Sequence, residues 1–211
     1  MKQHPDDKRI GNHVAYVAQE WIRQSYANEG AAAAEKTLRT LLQRYPQSDD
    51  VTQVAKSHLH KVVEELQGKR QYEEALAAAE RAVDLLQDKD LALDLARSVY
   101  DGWAKELVMK ADWQAAIDVY AKGRGRFPKD KHLENNWMVT WDNWAQSFIK
   151  ANDWAGALEV YEKALTKVSD KSLAETNIVY CVQEWAQAVY AKDGTVAAKD
   201  VLTKQLRRFA A

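Results

Sequence analysis

The sequence predicts an all-α chain built as a row of five helix pairs, and three observations predict it. The first is a period. Trp21, Val62, Trp103, Trp144 and Trp185 stand 41 residues apart, as do Ala34, Ala75, Ala116, Ala157 and Ala198. Two further columns hold Leu38, Ala79, Tyr120, Tyr161 and Leu202, and Ala31, Tyr72, Trp113, Trp154 and Thr195. No insertion or deletion interrupts the phase, and a fixed period in this range marks stacked supersecondary units. The second is composition: strong helix formers dominate, and only 8 Gly and 3 Pro are available for turns in the 211 residues. The third is spacing within each unit, where apolar residues recur every three or four positions, one face of a helix.

The units run approximately over residues 7–47, 48–88, 89–129, 130–170 and 171–211, read together as one repeat domain. In the first, a long helix reaches the break at Asn28-Glu29-Gly30, and a second helix carries Ala34 and Leu38. Pro46-Gln47-Ser48-Asp49 joins it to the second unit, whose break is Lys69-Arg70-Gln71. Gln87-Asp88-Lys89 leads into the third unit, with Trp103 on its first helix and a break at Lys110-Ala111-Asp112. Pro128-Lys129-Asp130 opens the fourth. Its first helix covers about Lys131 to Ala151 on the face of Trp137, Trp141, Trp144, Ala145 and Phe148. After Ala151-Asn152-Asp153, a second helix covers about Trp154 to Val168 on the face of Ala157, Val160, Tyr161, Ala164, Leu165 and Val168. Ser169-Asp170-Lys171 begins the fifth unit, which breaks at Lys192-Asp193-Gly194. Asp153 is placed to cap the helix after it, and the Ser and Asp residues of the joints to cap the long helices. Links this short make neighbouring helices antiparallel and give about ten helices in all.

A single helical pair cannot cover its own apolar stripe, so the array stands only as an array. The tryptophan columns read as the packing between layers: Trp103, Trp144 and Trp185 on the stripes of first helices, Trp113 and Trp154 at the starts of second helices.

The unit resembles a tetratricopeptide repeat (TPR), whose pattern is W-x2-L-G-x2-Y, then A-x3-F, then P. The fourth unit has Trp141-x2-Trp144-Ala145-x2-Phe148 and Ala157-x3-Tyr161, with Ser169 where Pro is expected. The third has Tyr100-x2-Trp103-Ala104-x2-Leu107, Ala116-x3-Tyr120 and Pro128; the first keeps Ala34-x3-Leu38 and Pro46. The usual unit has 34 residues. The seven extra ones make two helical turns, roughly 10 Å, at the start of the first helix, where Leu133 and Trp137 extend the stripe backwards. The chain is similar to a bacterial TPR-like subclass with repeats of about 42 residues and an N-N-x-x-Y-like start, here Asn135-Asn136 and Thr176-Asn177-x2-Tyr180. The resemblance implies a right-handed superhelical solenoid of five helix-turn-helix repeats.

It also implies that the first helices line a concave groove that holds an extended peptide or a partner's helix. By column the groove positions are Tyr16, Gln19, Arg23 and Tyr26; then Ser57, His60, Glu64 and Gln67; then Ser98, Asp101, Lys105 and Val108; then Val139, Asp142, Gln146 and Ile149; then Tyr180, Gln183, Gln187 and Tyr190. They share one helical stripe. They vary between units while the core columns stay apolar. Tyr16, Tyr26, Tyr180 and Tyr190 are the expected anchors. A Lys/Asn/Arg clamp for C-terminal carboxylates does not carry over, because Glu20, Glu64, Asp101 and Glu184 stand among Gln19, Arg23, Lys61 and Asn143.

Catalytic chemistry is not expected. Lys122-Gly123-Arg124-Gly125-Arg126 has no Walker context and reads as a helix end whose positive charge complements the dipole. His58 and His60, two apart, point to different faces, and no metal-ligand spacing occurs. Cys181 is the single cysteine and reads as a structural thiol in a reducing compartment. With 30 basic and 31 acidic residues, net charge is −1, which is no footprint for nucleic acid. No apolar run approaches the ~20 residues of a membrane span, and the polar start MKQHPDDKRIGNH lacks the apolar core of a signal peptide. The expectation is therefore a cytoplasmic, cofactor-free scaffold that binds a protein or peptide. The alternative is a structural spacer or a self-assembly module that stacks through its terminal helices. The outer side of the last helix, with Lys199, Asp200, Thr203, Lys204, Arg207 and Arg208, reads as a soluble cap.

Overall fold

The computed structural model describes residues 8–168 and 171–209, and among them every regular element is an α-helix. The order is α1 (Lys8–Glu29), α2 (Ala31–Arg44), α3 (Asp49–Gly68), α4 (Tyr72–Leu86), α5 (Lys89–Met109), α6 (Trp113–Arg126), α7 (Lys131–Lys150), α8 (Trp154–Leu165) and α9 (Ser172–Phe209). Within α9, Gly194 leaves helical geometry (φ 81°, ψ −173°), so this element is two helices joined at a kink. The second helices begin at Ala31, Tyr72, Trp113 and Trp154, and the chain past Gly194 resumes at Thr195. The joint residues Ser169 and Asp170 lie outside the described residues.

The breaks are of two kinds. In the inner ones Arg70, Ala111 and Asn152 take left-handed φ of 61°, 58° and 58°. The next residue then caps the following helix: the Asp112 carboxylate accepts from the Ala115 amide at 3.3 Å, and Asp153 from Gly156 at 2.9 Å. Gln71 occupies the same place without a side-chain hydrogen bond. At the outer breaks Gly30 and Gly194 have φ of 86° and 81° with ψ of −173°, a region open essentially to glycine alone. There the predicted three-residue breaks shrink to one residue, because α1 stays helical through Glu29 and α9 through Asp193. The long helices are capped as expected, by Ser48 on the Val51 amide, Asp88 on Leu91 and Asp130 on Leu133.

The chain forms two compact units, one ending at Trp103 and the other starting at Ala104, with the boundary inside α5. In the first unit α1 packs on α2 and on α3, and α3 on α4. Its core includes Ala18, Ile22, Ala34, Leu38, Leu41, Val51, Val54 and Ala55. In the second unit α7 packs against α6 and α8, and α9 against α8 and α7, around Leu133, Trp137, Trp141, Ala145, Leu158, Tyr161, Ile178 and Cys181.

The tryptophans need correction. Trp21 is exposed, and Trp103, Trp144, Trp185, Trp113 and Trp154 are only half-buried. The buried pair is Trp137 and Trp141, packed edge to face with centroids 6.2 Å apart. Trp144, on the same helix, stacks over Trp141 at 5.8 Å, at the rim of the contact. Tryptophan is large enough that a rim position leaves part of it wet. The basic stretch around Arg124 does end a helix, and it does more: Arg124 pairs with Glu134 and lies 3.8 Å over the Trp137 ring. The last helix is also more apolar than expected, since Val196, Leu202 and Leu206 are exposed among its polar residues.

Candidate functional site

A cleft lies between α1 and α3. On α1 the three-four spacing of Gln19, Ile22, Arg23 and Tyr26 puts these side chains on one face, and α3 answers with Val54, Ser57, His58, Lys61, Val62 and Glu65. The cleft encloses about 270 Å³. Buried Ile22 and Val54, with half-buried Val62, form an apolar floor, while Gln19, Arg23, Tyr26, Ser57 and Lys61 form an exposed rim. An apolar floor under a few convergent polar groups is the usual make-up of a recognition site.

The rim charges are poised rather than free. Arg23 forms a two-pronged ion pair with Glu20, one turn earlier; that hydrogen bond holds the Glu20 carboxyl below its ordinary range. Lys61 faces Glu65 at 4.0 Å. Burial pushes the His58 imidazole below its ordinary value of 6.5, so it faces the cleft neutral near pH 7. The mouth thus offers an aromatic ring, two exposed cations with half-buried carboxylate partners and a neutral imidazole.

Of the candidate stripe, the structure brings Gln19, Arg23, Tyr26 and Ser57 together here. Tyr16 is exposed one helical step before them. His60 and Glu64 are exposed but do not line the cleft, and Gln67 instead donates to the Ser98 hydroxyl at 3.4 Å. On α5, Asp101 and Val108 are half-buried and Lys105 is exposed. On α9, Tyr180, Gln183, Gln187 and Tyr190 are all exposed before the kink. His58, Lys61 and Glu65 are cleft residues that column reasoning missed. Their signal was the three-four spacing of 54, 58, 61 and 65, which opposes α1 directly.

On α7, Val139 is exposed and Ile149 half-buried, while Asp142 and Gln146 are engaged inside the second unit. The Tyr161 hydroxyl donates to Asp142 Oδ1 at 2.7 Å, and Asn177 Nδ2 donates to the same oxygen at 2.8 Å. Gln146 reaches the Tyr161 oxygen at 3.5 Å. Burial, then the Asp142 hydrogen bond, push the Tyr161 phenol well above its ordinary range. Asp142 therefore joins α7, α8 and α9. Cys181 is fully buried and its thiol is pushed up to about 11 by burial, the setting of an inert thiol. Among the described residues, no three His, Cys, Asp or Glu side chains gather as a metal site requires, and no helix is long and apolar enough to cross a membrane.

No protein-family model matches the sequence, and no curated protein matches it.

Proposed function

We propose that the chain is a non-catalytic, TPR-like scaffold of five stacked helix pairs in a right-handed solenoid, whose first helices hold a peptide or partner segment. The even placement of the second-helix starts, at Ala31, Tyr72, Trp113 and Trp154 with Thr195 following, supports the repeat. The α1/α3 cleft supports binding and carries the reading, because residues from two successive first helices converge on one apolar floor. Its size suits one or two anchoring side chains rather than a whole helix. Tyr26 is the aromatic anchor, and Gln19, Ser57 and Lys61 are placed for the backbone or acidic groups of an extended segment. With net charge −1, a protein partner suits the surface better than nucleic acid.

The test is a random peptide library panned on the purified chain, with the best binder measured by fluorescence anisotropy. Tyr26→Ala and Lys61→Ala are each expected to weaken it about tenfold or more at unchanged helicity. If no peptide outbinds its scrambled control, or if the binder ignores both substitutions, the scaffold reading fails.

A further inference from the structure

We infer that His58 lets the α1/α3 cleft choose its partner segment by charge. At neutral pH the cleft takes a neutral apolar side chain; in mildly acid medium it prefers an apolar side chain with a carboxylate beside it. This deepens the scaffold reading and rests on it.

The imidazole is placed for such a role. Val54, His58 and Val62 follow one another at intervals of four, so they form one ridge along α3. Val54 and Val62 belong to the apolar floor, and all three line the cleft. The half-buried imidazole therefore stands between two floor residues, where it meets whatever side chain the floor receives.

The charges around it balance. Across the cleft on α1, Arg23 pairs with Glu20; on α3 itself, Lys61 faces Glu65 at 4.0 Å. From the other helices, Arg81 of α4 and Arg39 of α2 reach the Glu35 carboxylate of α2 at 3.1 and 2.9 Å. Burial is the largest influence on the imidazole; Glu65 and Glu35 favour its charged form and Lys61 and Arg81 oppose it, so those four largely offset one another. The mouth holds two cations and two carboxylates, which leaves no net charge for an acidic ligand to answer. Of these side-chain types only imidazole ordinarily changes charge between about pH 5 and 8. A proton on His58 therefore makes the mouth net positive, and puts that charge on the floor. A ligand carboxylate next to the anchoring side chain meets it where water is partly excluded, and the attraction there is stronger than at an exposed rim. The carboxylate favours the imidazolium, so the complex holds a proton more tightly than the free chain does. Affinity for the acidic segment then rises as pH falls, until the free chain is protonated as well. A segment without the carboxylate gains nothing from the proton and meets a charged group on the floor in place of a neutral one.

The experiment pans one random peptide library on the purified chain at about pH 5.5 and at about pH 7.5, on either side of the ordinary imidazole value. Peptides retained at the lower pH are expected to carry Asp or Glu next to an aliphatic or aromatic residue; those retained at the higher pH are not. The leading acid-selected peptide is then measured beside its amide version, with Asp replaced by Asn or Glu by Gln. Its affinity is expected to rise about tenfold from the higher pH to the lower, and that of the amide version to stay level or fall. His58→Gln is expected to remove the rise. His60→Gln, exposed on the same helix and outside the cleft, is expected to keep it. A direct reading on the wild type needs no variant to fold: by NMR, the titration of the His58 ring proton is expected to move to higher pH when the acidic peptide is bound, and not when the amide version is. Peptides of the same composition at both pH values, a rise that survives His58→Gln at wild-type helicity, or a His58 titration that ignores the acidic peptide overturns the inference. Each of these leaves the scaffold reading standing, because peptides still bind; no binder at either pH overturns both.

Discussion

The seam between α1 and α3 and the seam between α7 and α9 occupy equivalent positions, three periods apart, yet one carries a cleft and the other a hydrogen-bonded tie. Asp142, Tyr161 and Asn177 meet in hydrogen bonds of 2.7 and 2.8 Å across α7, α8 and α9. Their counterparts in the first unit are Gln19, Leu38 and Val54. Leu38 and Val54 can neither donate nor accept, so nothing draws Gln19 inward, and it stays on the rim of a cleft of about 270 Å³. In the second unit a recess of about 20 Å³ lies among α7, α8 and α9, beside Trp141, Tyr161 and Asn177. The two seams thus differ in the side chains at these three positions: hydrogen-bonding groups in the second unit, and Leu38 and Val54 in the first.

The largest effect comes from cutting the tie. Asp142→Ala removes the acceptor shared by two donors and is expected to cost about 2–3 kcal/mol in urea unfolding; a loss under about 0.5 kcal/mol would mean the network is ornamental. Tyr161→Phe removes one donor and leaves Asn177 in place, so about 1–2 kcal/mol is expected. Carrying the tie across sharpens the contrast: Gln19→Asp with Val54→Asn is expected to lower affinity for a cleft-binding peptide about tenfold, and unchanged affinity would separate the tie from the opening. The smallest effect is in pH. His58 and Cys181 are counterparts with opposite edges. The folded pKa of His58 is lowered, so its contribution is whole above about 6.5 and is lost as pH falls below that value. The folded pKa of Cys181 is raised from 9 to about 11, so its contribution is whole below 9 and is lost as pH rises through that interval. Stability against pH for His58→Gln should lose the acid slope only, and for Cys181→Ala the alkaline slope only.

Much of the fold was legible because the period is carried by small and apolar residues that packing must repeat. Ala34, Ala75, Ala116, Ala157 and Ala198 are all buried, and the caps at Ser48, Asp130 and Asp153 follow from local chemistry alone. The site was legible in part. Gln19, Arg23, Tyr26 and Ser57 line the cleft, while His60 and Glu64 lie outside it and His58, Lys61 and Glu65 line it instead, because the face α3 turns to α1 is set by packing rather than by column. The Asp142 tie escaped notice for a related reason. Tyr161 read as core, Asp142 as groove and Asn177 as the mark of a helix start; each column was judged by itself, and a contact spanning 35 residues of sequence belongs to no single column.

The two kinds of break also set where the backbone breathes. Amides at Ala115 and Gly156 are held by the carboxylates of Asp112 and Asp153, whereas Gly30 and Gly194 have no side chain to hold the equivalent amides of Ala33 and Ala197. Local opening begins where such restraint is least, so in hydrogen exchange Ala33 and Ala197 should trade their protons well before Ala115 and Gly156. Fraying would then start at the outermost helix pairs and work inward, with the glycines as the points at which each end peels.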